Sequence, residues 1–313
     1  MKQLVERRTG LTHLAAAAAA AFAAPAVIRA SSARAQTATI SPRWKAQVGF
    51  ELFTVQSAFI AEPEKTLAAV SALGIKEVEP RVYAGLSPSQ FRALLDRHGL
   101  TAPSTHEFSV PGPGLEKDLE GLQVMGIKYA RFPLPGETPQ IGGRGRGAPA
   151  DGRQAAAAPT ARGGAGRGAA TTATMQETPE FMRRVAADLN AQGRIAQRFG
   201  IKALYHNHTT EFQRYPGEPL LPYEVLLRET DPAVVAMQID LGWASVAGQD
   251  IVRLFEQYPG RFELWHIKDA TGLKHLTPQM NQLERRAAAS LVPVGLGEVD
   301  YRAIFGKAEL AGL

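Results

Sequence analysis

Six histidines lie beyond the first 35 residues, and four of them, His106, His206, His208 and His266, fall where short strand-like runs end. Acids gather at the same kind of position: Glu51 in QVGFELF, Glu79 in IKEVEP, Glu211 just past YHNH, and Asp240 closing VVAMQID. Lys268 follows His266 by two. Side chains alternate along a strand, so His206 and His208 share a face, as do His266 and Lys268. Glu211 has the parity of the opposite face unless the strand has ended by Thr209. Carboxylates converging on one mouth form a costly like-charge cluster unless a cation joins them. Hard oxygens with one or two imidazoles suit Mn²⁺, Mg²⁺, Co²⁺ or Zn²⁺. The chain has no cysteine, which excludes thiolate sites and disulfides.

These residues need a scaffold that brings strand ends together. A hinge recurs as Leu73-Gly74-Ile75-Lys76, Met125-Gly126-Ile127-Lys128 and Phe199-Gly200-Ile201-Lys202, and more loosely at Gly99 and Gly312. Apolar residues at helical spacing precede it, as in Leu67, Val70 and Leu73, or Phe91, Leu94 and Leu95. Glycine tolerates the left-handed backbone that ends a helix, and a short strand-like run follows each copy. The repeat is helix, glycine, strand, at intervals of 25 and 27 residues from Gly74 to Gly99 to Gly126, which suits one βα unit of a parallel barrel. Strands are predicted at 47–53, 75–80, 100–106, 127–133, 201–208, 234–240 and 261–269. Helices are predicted near 62–73, 87–98, 115–125, 178–199, 221–230, 249–258 and 300–311. The expectation is a (β/α)8 TIM barrel over 36–313, truncated before its eighth strand. Its unpaired edges would admit pairing with a second chain, a homo-oligomer.

Two stretches stand apart. Residues 1–35 carry Arg7-Arg8, an apolar run from Leu14 to Ile28, and Ala33-Arg34-Ala35, the marks of a twin-arginine-type signal peptide and hence of a periplasmic or otherwise exported protein. That run of about 15 residues is short of the ~20 that span a bilayer, so no stable membrane anchor is expected. Residues 136–176 hold ten glycines and eleven alanines and bury too little to order themselves, so a disordered insertion after strand four is expected. The leader carries net +4 and the insertion net +3 of the formal +5, leaving −2 for the rest. The high pI is therefore no argument for a nucleic-acid partner.

The phrases YHNHTTEF (205–212), MQIDLGWASVAGQD (237–250), GRFELWHIKDA (260–270) and VPVGLGEVDYRAIF (292–305), with GFELFTVQ (49–56), resemble the sugar phosphate isomerase/epimerase family. These xylose-isomerase-like TIM barrels include inosose dehydratases, ketose 3-epimerases and exported lyases or hydratases acting on 3-keto sugars. The likeness covers residues 47–313 apart from the insertion, with the blocks in family order, and the 26-residue interval from Asp240 to His266 resembles the family's metal spacing. It implies a divalent metal held by a glutamate, an aspartate, a histidine and a second glutamate. Asp240 and His266 match; Glu211 is the first glutamate, with His206 or His208 as alternatives; the second belongs on a last strand that this chain does not reach.

The resemblance further implies proton abstraction beside a sugar carbonyl through an enediolate. The proton returns in an isomerase or epimerase, or a β-substituent leaves in a lyase or hydratase. His208 would be the base and Lys268 would stabilise the oxyanion. Glu51, Glu79, His106 and His206 would line the substrate site, and Trp243 would offer a stacking face. Export and the lack of a phosphate-cradling glycine loop favour a neutral or 3-keto sugar over a sugar phosphate. A catalytically silent sugar-binding barrel is the alternative. DNA-repair endonucleases of the superfamily would need more histidines and a basic face.

Overall fold

Each repeat turns at its glycine. Gly74, Gly99, Gly126 and Gly200 have φ of 85°, 60°, 85° and 72°, and Gly312 has 98°, a region that costs a residue with a Cβ about 1–2 kcal/mol. The computed structural model describes residues 48–106, 114–135 and 177–313; the expected signal peptide (1–35) and insertion (136–176) lie outside them.

Strand β1 (Gly49–Glu51) leads to α1 (Gln56–Ala61) and α2 (Pro63–Ala72), β2 (Glu77–Glu79) to α3 (Pro88–Arg97), and β3 (Ser104–Thr105) to α4 (Leu115–Met125). Strand β4 (Tyr129–Arg131) precedes the long α5 (Pro179–Gln197), and β5 (Lys202–His206) precedes α6 (Pro222–Glu229). Strand β6 (Val235–Asp240) runs straight into α7 (Leu241–Val246) and α8 (Ile251–Gln257), before β7 (Leu264–His266). Strands β3 to β7 form one parallel sheet in sequence order, and β1 pairs β2 in parallel. A bridge between Glu77 and Thr101 links the two sheets. The seven predicted strands are thus present as parallel neighbours of a TIM-barrel wall. Register then places the site: Glu51 lies beside Glu79, His206 beside Gln238, and Asp240 beside His266.

The helices cover this wall with one apolar face each. In α5 that face is Phe181, Met182, Val185, Ala186, Leu189, Gly193 and Ala196, all buried. Gly193 is required there, because a Cβ would come 2.5 Å from the Val234 carbonyl oxygen. None of the helices among the described residues is long and apolar enough to cross a membrane.

Two expectations need correction. The strand predicted over 261–269 ends at His266, and the chain leaves the wall as β8 (Asp269–Thr271). An excursion carrying α9 (Gln282–Ala288) returns through β9 (Ser290–Val292), which pairs β8 antiparallel. The cause is Asp269, whose buried carboxylate accepts from the amides of Gly295, Gly297 and Val299 at 2.9, 2.9 and 3.2 Å. Asp269 thereby ties the outgoing and returning chains together. The helix predicted over 300–311 is broken at Gly306 into α10 (Tyr301–Phe305) and α11 (Ala308–Ala311); glycine is a poor helix former. The last turn lies along the start of β7, where the Gly260 and Phe262 amides donate to Leu310 and Ala311, each at 2.8 Å.

Candidate active site

The carboxyl ends of β1, β2, β3, β5, β6 and β7 deliver Glu51, Glu79, His106, His206, Asp240 and His266 to one place. The rings of His106, His206 and His266 lie 4.8, 4.8 and 5.9 Å apart, centre to centre. Two sets of three groups have ligand atoms within 4.8 Å of one another: His106, His206 and His266, and Glu51, Glu79 and His106. Asp240, fully buried, sets Oδ2 3.6 Å from His206 Nε2 and 3.8 Å from His266 Nδ1. Its other oxygen accepts from the Trp243 amide at 2.8 Å, so the residue that ends β6 also caps α7.

Each histidine is anchored through one nitrogen. His106 Nδ1 contacts Glu79 Oε1, His206 Nδ1 donates to Gln238 Oε1 at 3.0 Å, and His266 Nε2 contacts Glu51 Oε2 at 2.9 Å. The anchors are themselves held: Gln238 donates to Glu79 Oε2 at 2.7 Å, and Ser104 donates to the same oxygen. An acceptor behind each ring is the arrangement that fixes tautomer and orientation in metal-binding histidines. The other nitrogens of His206 and His266, Nε2 and Nδ1, face Asp240 Oδ2, and His266 Nδ1 also lies 3.4 Å from His206 Nδ1.

Electrostatics follow from this packing. Burial alone would raise the Glu79 pKa, but the charge and hydrogen bond of His106 hold it down, at about 2. Burial would lower His106, yet Glu79 and then Glu51 raise it. Burial would raise Glu51, but the His266 hydrogen bond together with the charges of His266, His106 and Lys268 lowers it. Burial, then the charges of His106 and His266, pushes His206 well below its ordinary value, which leaves a neutral ring with a lone pair.

His208 lies beyond the end of β5 with its ring 5.1 Å from that of His206 and 6.5 Å from that of Trp243. The surrounding protein first, then Lys268 and Arg286, lowers its pKa; the residue is solvent-exposed, which offsets part of the desolvation. Lys268 reaches Asp240 Oδ2 at 2.8 Å, so it is paired to a carboxylate, as the shared face with His266 implies. Trp243 is half-buried at the mouth.

Glu211 is in neither cluster. It sits in a 3-10 turn, Thr210–Phe212, and its Oε1 accepts from the Tyr205 hydroxyl at 3.1 Å and the His208 amide at 2.9 Å. The strand does end before Thr209, but the turn returns Glu211 to the Tyr205 face, away from His206. Its carboxylate thus braces the loop that carries His208 and lies outside the two clusters. Asn207, between the two histidines, accepts from the Asp240 amide at 3.0 Å and donates to the His208 carbonyl at 3.2 Å.

Gln238, Ser104 and Asn207 were not among the residues predicted. The signal for Gln238 is present, since it precedes Asp240 by two and shares its face.

No family model matches the chain. Among curated proteins, inosose dehydratase from Bacillus licheniformis is 28% identical over 131 residues, 41% of this chain and 42% of that protein. The matched part thus spans about two fifths of the length of that relative. Among solved structures, a sugar phosphate isomerase/epimerase from Parabacteroides distasonis superposes with a TM-score of 0.56 at 19% identity, covering 88% of both chains. A probable 3-DHS dehydratase from Bacillus anthracis gives 0.51 at 11% identity, covering 83% of this chain and 88% of that one. The chain shares the TIM-barrel fold of these structures.

Proposed function

We propose that this chain is a divalent-metal-dependent enzyme that acts on sugars or keto sugars by removing the proton next to a carbonyl. The observation that carries the reading is the anchoring of three converging histidines by three separate acceptors, Glu79, Gln238 and Glu51. His106, His206 and His266, with Asp240, would hold the ion. That set keeps Asp240 and His266 from the sequence-based expectation and replaces Glu211 by two histidines. Imidazoles with one carboxylate suit Zn²⁺, Co²⁺ or Mn²⁺ better than Mg²⁺.

When bound, the cation polarises a sugar carbonyl and its neighbouring hydroxyl. The neutral, exposed His208 ring beside His206 can accept a proton from bound substrate and return it. Lys268 holds Asp240 in place and presents positive charge toward a developing oxyanion. Glu51 and Glu79 orient histidine rings, in place of the substrate contacts expected of them. The likeness to inosose dehydratase favours loss of a β-hydroxyl over return of the proton. Residues 1–35 would direct the protein out of the cytoplasm, which secretion of a reporter fused to that leader and to its Arg7-Arg8→Lys-Lys form tests.

The test of the main reading is metal content by elemental mass spectrometry on the full chain beside His206→Ala and Asp240→Ala. Exchange of a substrate C–H with deuterated solvent is then followed by NMR over a panel of keto sugars. Near-stoichiometric metal in the wild type, lost in both variants and accompanied by C–H exchange, supports the enzyme. Metal without exchange on any keto sugar would favour a silent sugar-binding barrel, and no metal would sink the proposal.

A further inference from the structure

The mouth beside His208 carries positive charge that the proton chemistry leaves unexplained. Arg286, on α9, lies over the Trp243 ring with its guanidinium carbon 4.9 Å from the ring centre. It is exposed, and among the described residues it has no carboxylate partner. Its neighbour Arg285 does a different job: Nε and Nη2 donate to the Met280 and Thr277 carbonyls at 3.2 and 2.7 Å, and so fasten α9 to its own approach loop. Arg286 projects from that fastened helix.

Its platform stands next to the cluster. The Trp243 amide is bonded to Asp240, so the residue that carries the ring is tied through its backbone to the metal-type cluster. Lys268 and Arg286 head the charges that act on His208, with Arg131 also among them. Lys268, just past β7 and paired to Asp240, and Arg286, on α9, thus set two cations by His208.

We propose that the substrate of this site bears an oxyanion, a carboxylate or a phosphate, and that the Arg286 fork seated on Trp243 receives it. The proposal rests on reading the mouth as a sugar-binding active site, and it departs from the neutral sugar expected from sequence. A guanidinium presents parallel N–H donors that match a carboxylate or phosphate edge in two bonds, and stacking on an indole holds the fork at little entropic cost. A neutral hydroxyl would leave that charge uncompensated as the mouth closed over it.

The experiment titrates zinc-loaded full chain with glucose, glucuronate and glucose 6-phosphate by calorimetry, in the wild type, Arg286→Gln and Arg286→Lys. At least one of the two anions should bind about tenfold or more tighter than glucose. Arg286→Gln should lose that preference, and Arg286→Lys should keep only part of it. Whichever anion wins identifies the carboxylate or the phosphate as the group received. Equal binding of all three, no binding of any, or an anion preference that survives in Arg286→Gln overturns the proposal. Zinc content on the same samples separates the two readings, since stoichiometric zinc without anion preference leaves the metal site standing and removes only the clamp. Arg286 is exposed and its variants should melt with the wild type, so lost preference would not reflect lost folding.

Discussion

Replacing Gln238 by leucine tests the anchoring of the histidines without touching any of them. Gln238 is 4% exposed; it accepts from His206 Nδ1 at 3.0 Å and donates to Glu79 Oε2 at 2.7 Å. Leucine has similar bulk, so little cavity is created. What is lost is one neutral hydrogen bond, worth about 1 kcal/mol, and one to a buried carboxylate, worth about 1.5–3 kcal/mol. Ser104 still serves Glu79, so the sum is about 3 kcal/mol rather than a fully stranded charge. In a domain of this size each kcal/mol moves Tm by about 2–4 °C, so Tm should fall by about 6–12 °C. His206 would also lose the acceptor that holds its ring, and zinc affinity should drop by about 10- to 100-fold. The assays are thermal melting of the metal-free protein and zinc competition against a fluorescent chelator. Gln238→Glu is the companion variant: it keeps an acceptor for His206 but sets a second carboxylate against Glu79, so it should lose stability while holding zinc. A Gln238→Leu protein that melts lower yet binds zinc as the wild type does would refute the claim that this glutamine orients a ligand, and would reduce it to a packing bond.

Gly242→Ala should destabilise although alanine is the better helix former, because its Cβ would meet the Lys268 carbonyl oxygen at 2.6 Å and Lys268 Cβ at 2.7 Å. A propensity gain of at most about 1 kcal/mol is set against an overpacking cost of about 1–3 kcal/mol; urea unfolding decides, and an unchanged or raised midpoint would contradict the close approach. Lys268→Met should lower the stability of the metal-free protein by about 3 kcal/mol, because Asp240 is fully buried and loses its cation. Added zinc should then raise Tm more in this variant than in the wild type, and an equal rise would mean that the lysine does not compete for Asp240. Burial, then the Glu177 charge, raises the Glu211 pKa. The folded carboxyl keeps its proton where the unfolded one has lost it, so stability should fall as pH climbs from the ordinary carboxylate range through the raised folded value. Glu211→Gln should flatten that fall between about pH 5 and about pH 9 in urea midpoints, and an unchanged slope would show that Glu211 is already ionised in the folded state.

The parts of this molecule that sequence makes plain are those set by local backbone chemistry. Gly74, Gly99, Gly126 and Gly200 each take positive φ, which glycine does at least cost, and so the repeat and its strand starts could be read directly. Helix α4 falls on the predicted 115–125, because Leu115, Leu119, Leu122 and Met125 bury one face at helical spacing. Alternation also carried information into the site, since His266 and Lys268 both reach Asp240. Its reach ends where the strand does. Strand β5 stops at His206, and a 3-10 turn then decides where Glu211 goes, by offering it the Tyr205 hydroxyl and the His208 amide. The excursion through α9 was invisible for a related reason, since Asp269 gathers amides from residues some thirty positions on.

That limit bears on how such a cluster is to be read. Sequence places chemistry-bearing residues at strand ends, but a histidine at a strand end is equally a hydrogen-bonding residue and a ligand. What separates the two is which nitrogen is already taken. For His106, His206 and His266 one nitrogen is taken by Glu79, Gln238 and Glu51, the first two from the adjacent strands β2 and β6 and the third from β1, and for two of the three the remaining nitrogen faces Asp240 Oδ2. A purely structural network would spend both nitrogens on close protein partners, because a buried polar atom without one is costly, whereas the second contacts are long, 3.6 and 3.8 Å to Asp240 Oδ2 and 3.4 Å between His266 Nδ1 and His206 Nδ1. Here the anchors sit behind the rings, and the open side is the one toward the mouth, bordered by His208, Trp243 and Arg286. On the metal-centre reading, the site depends less on the histidines themselves than on the neutral glutamine and the two glutamates that hold them, and it is at Gln238 that this reading and the packing reading predict different measurements.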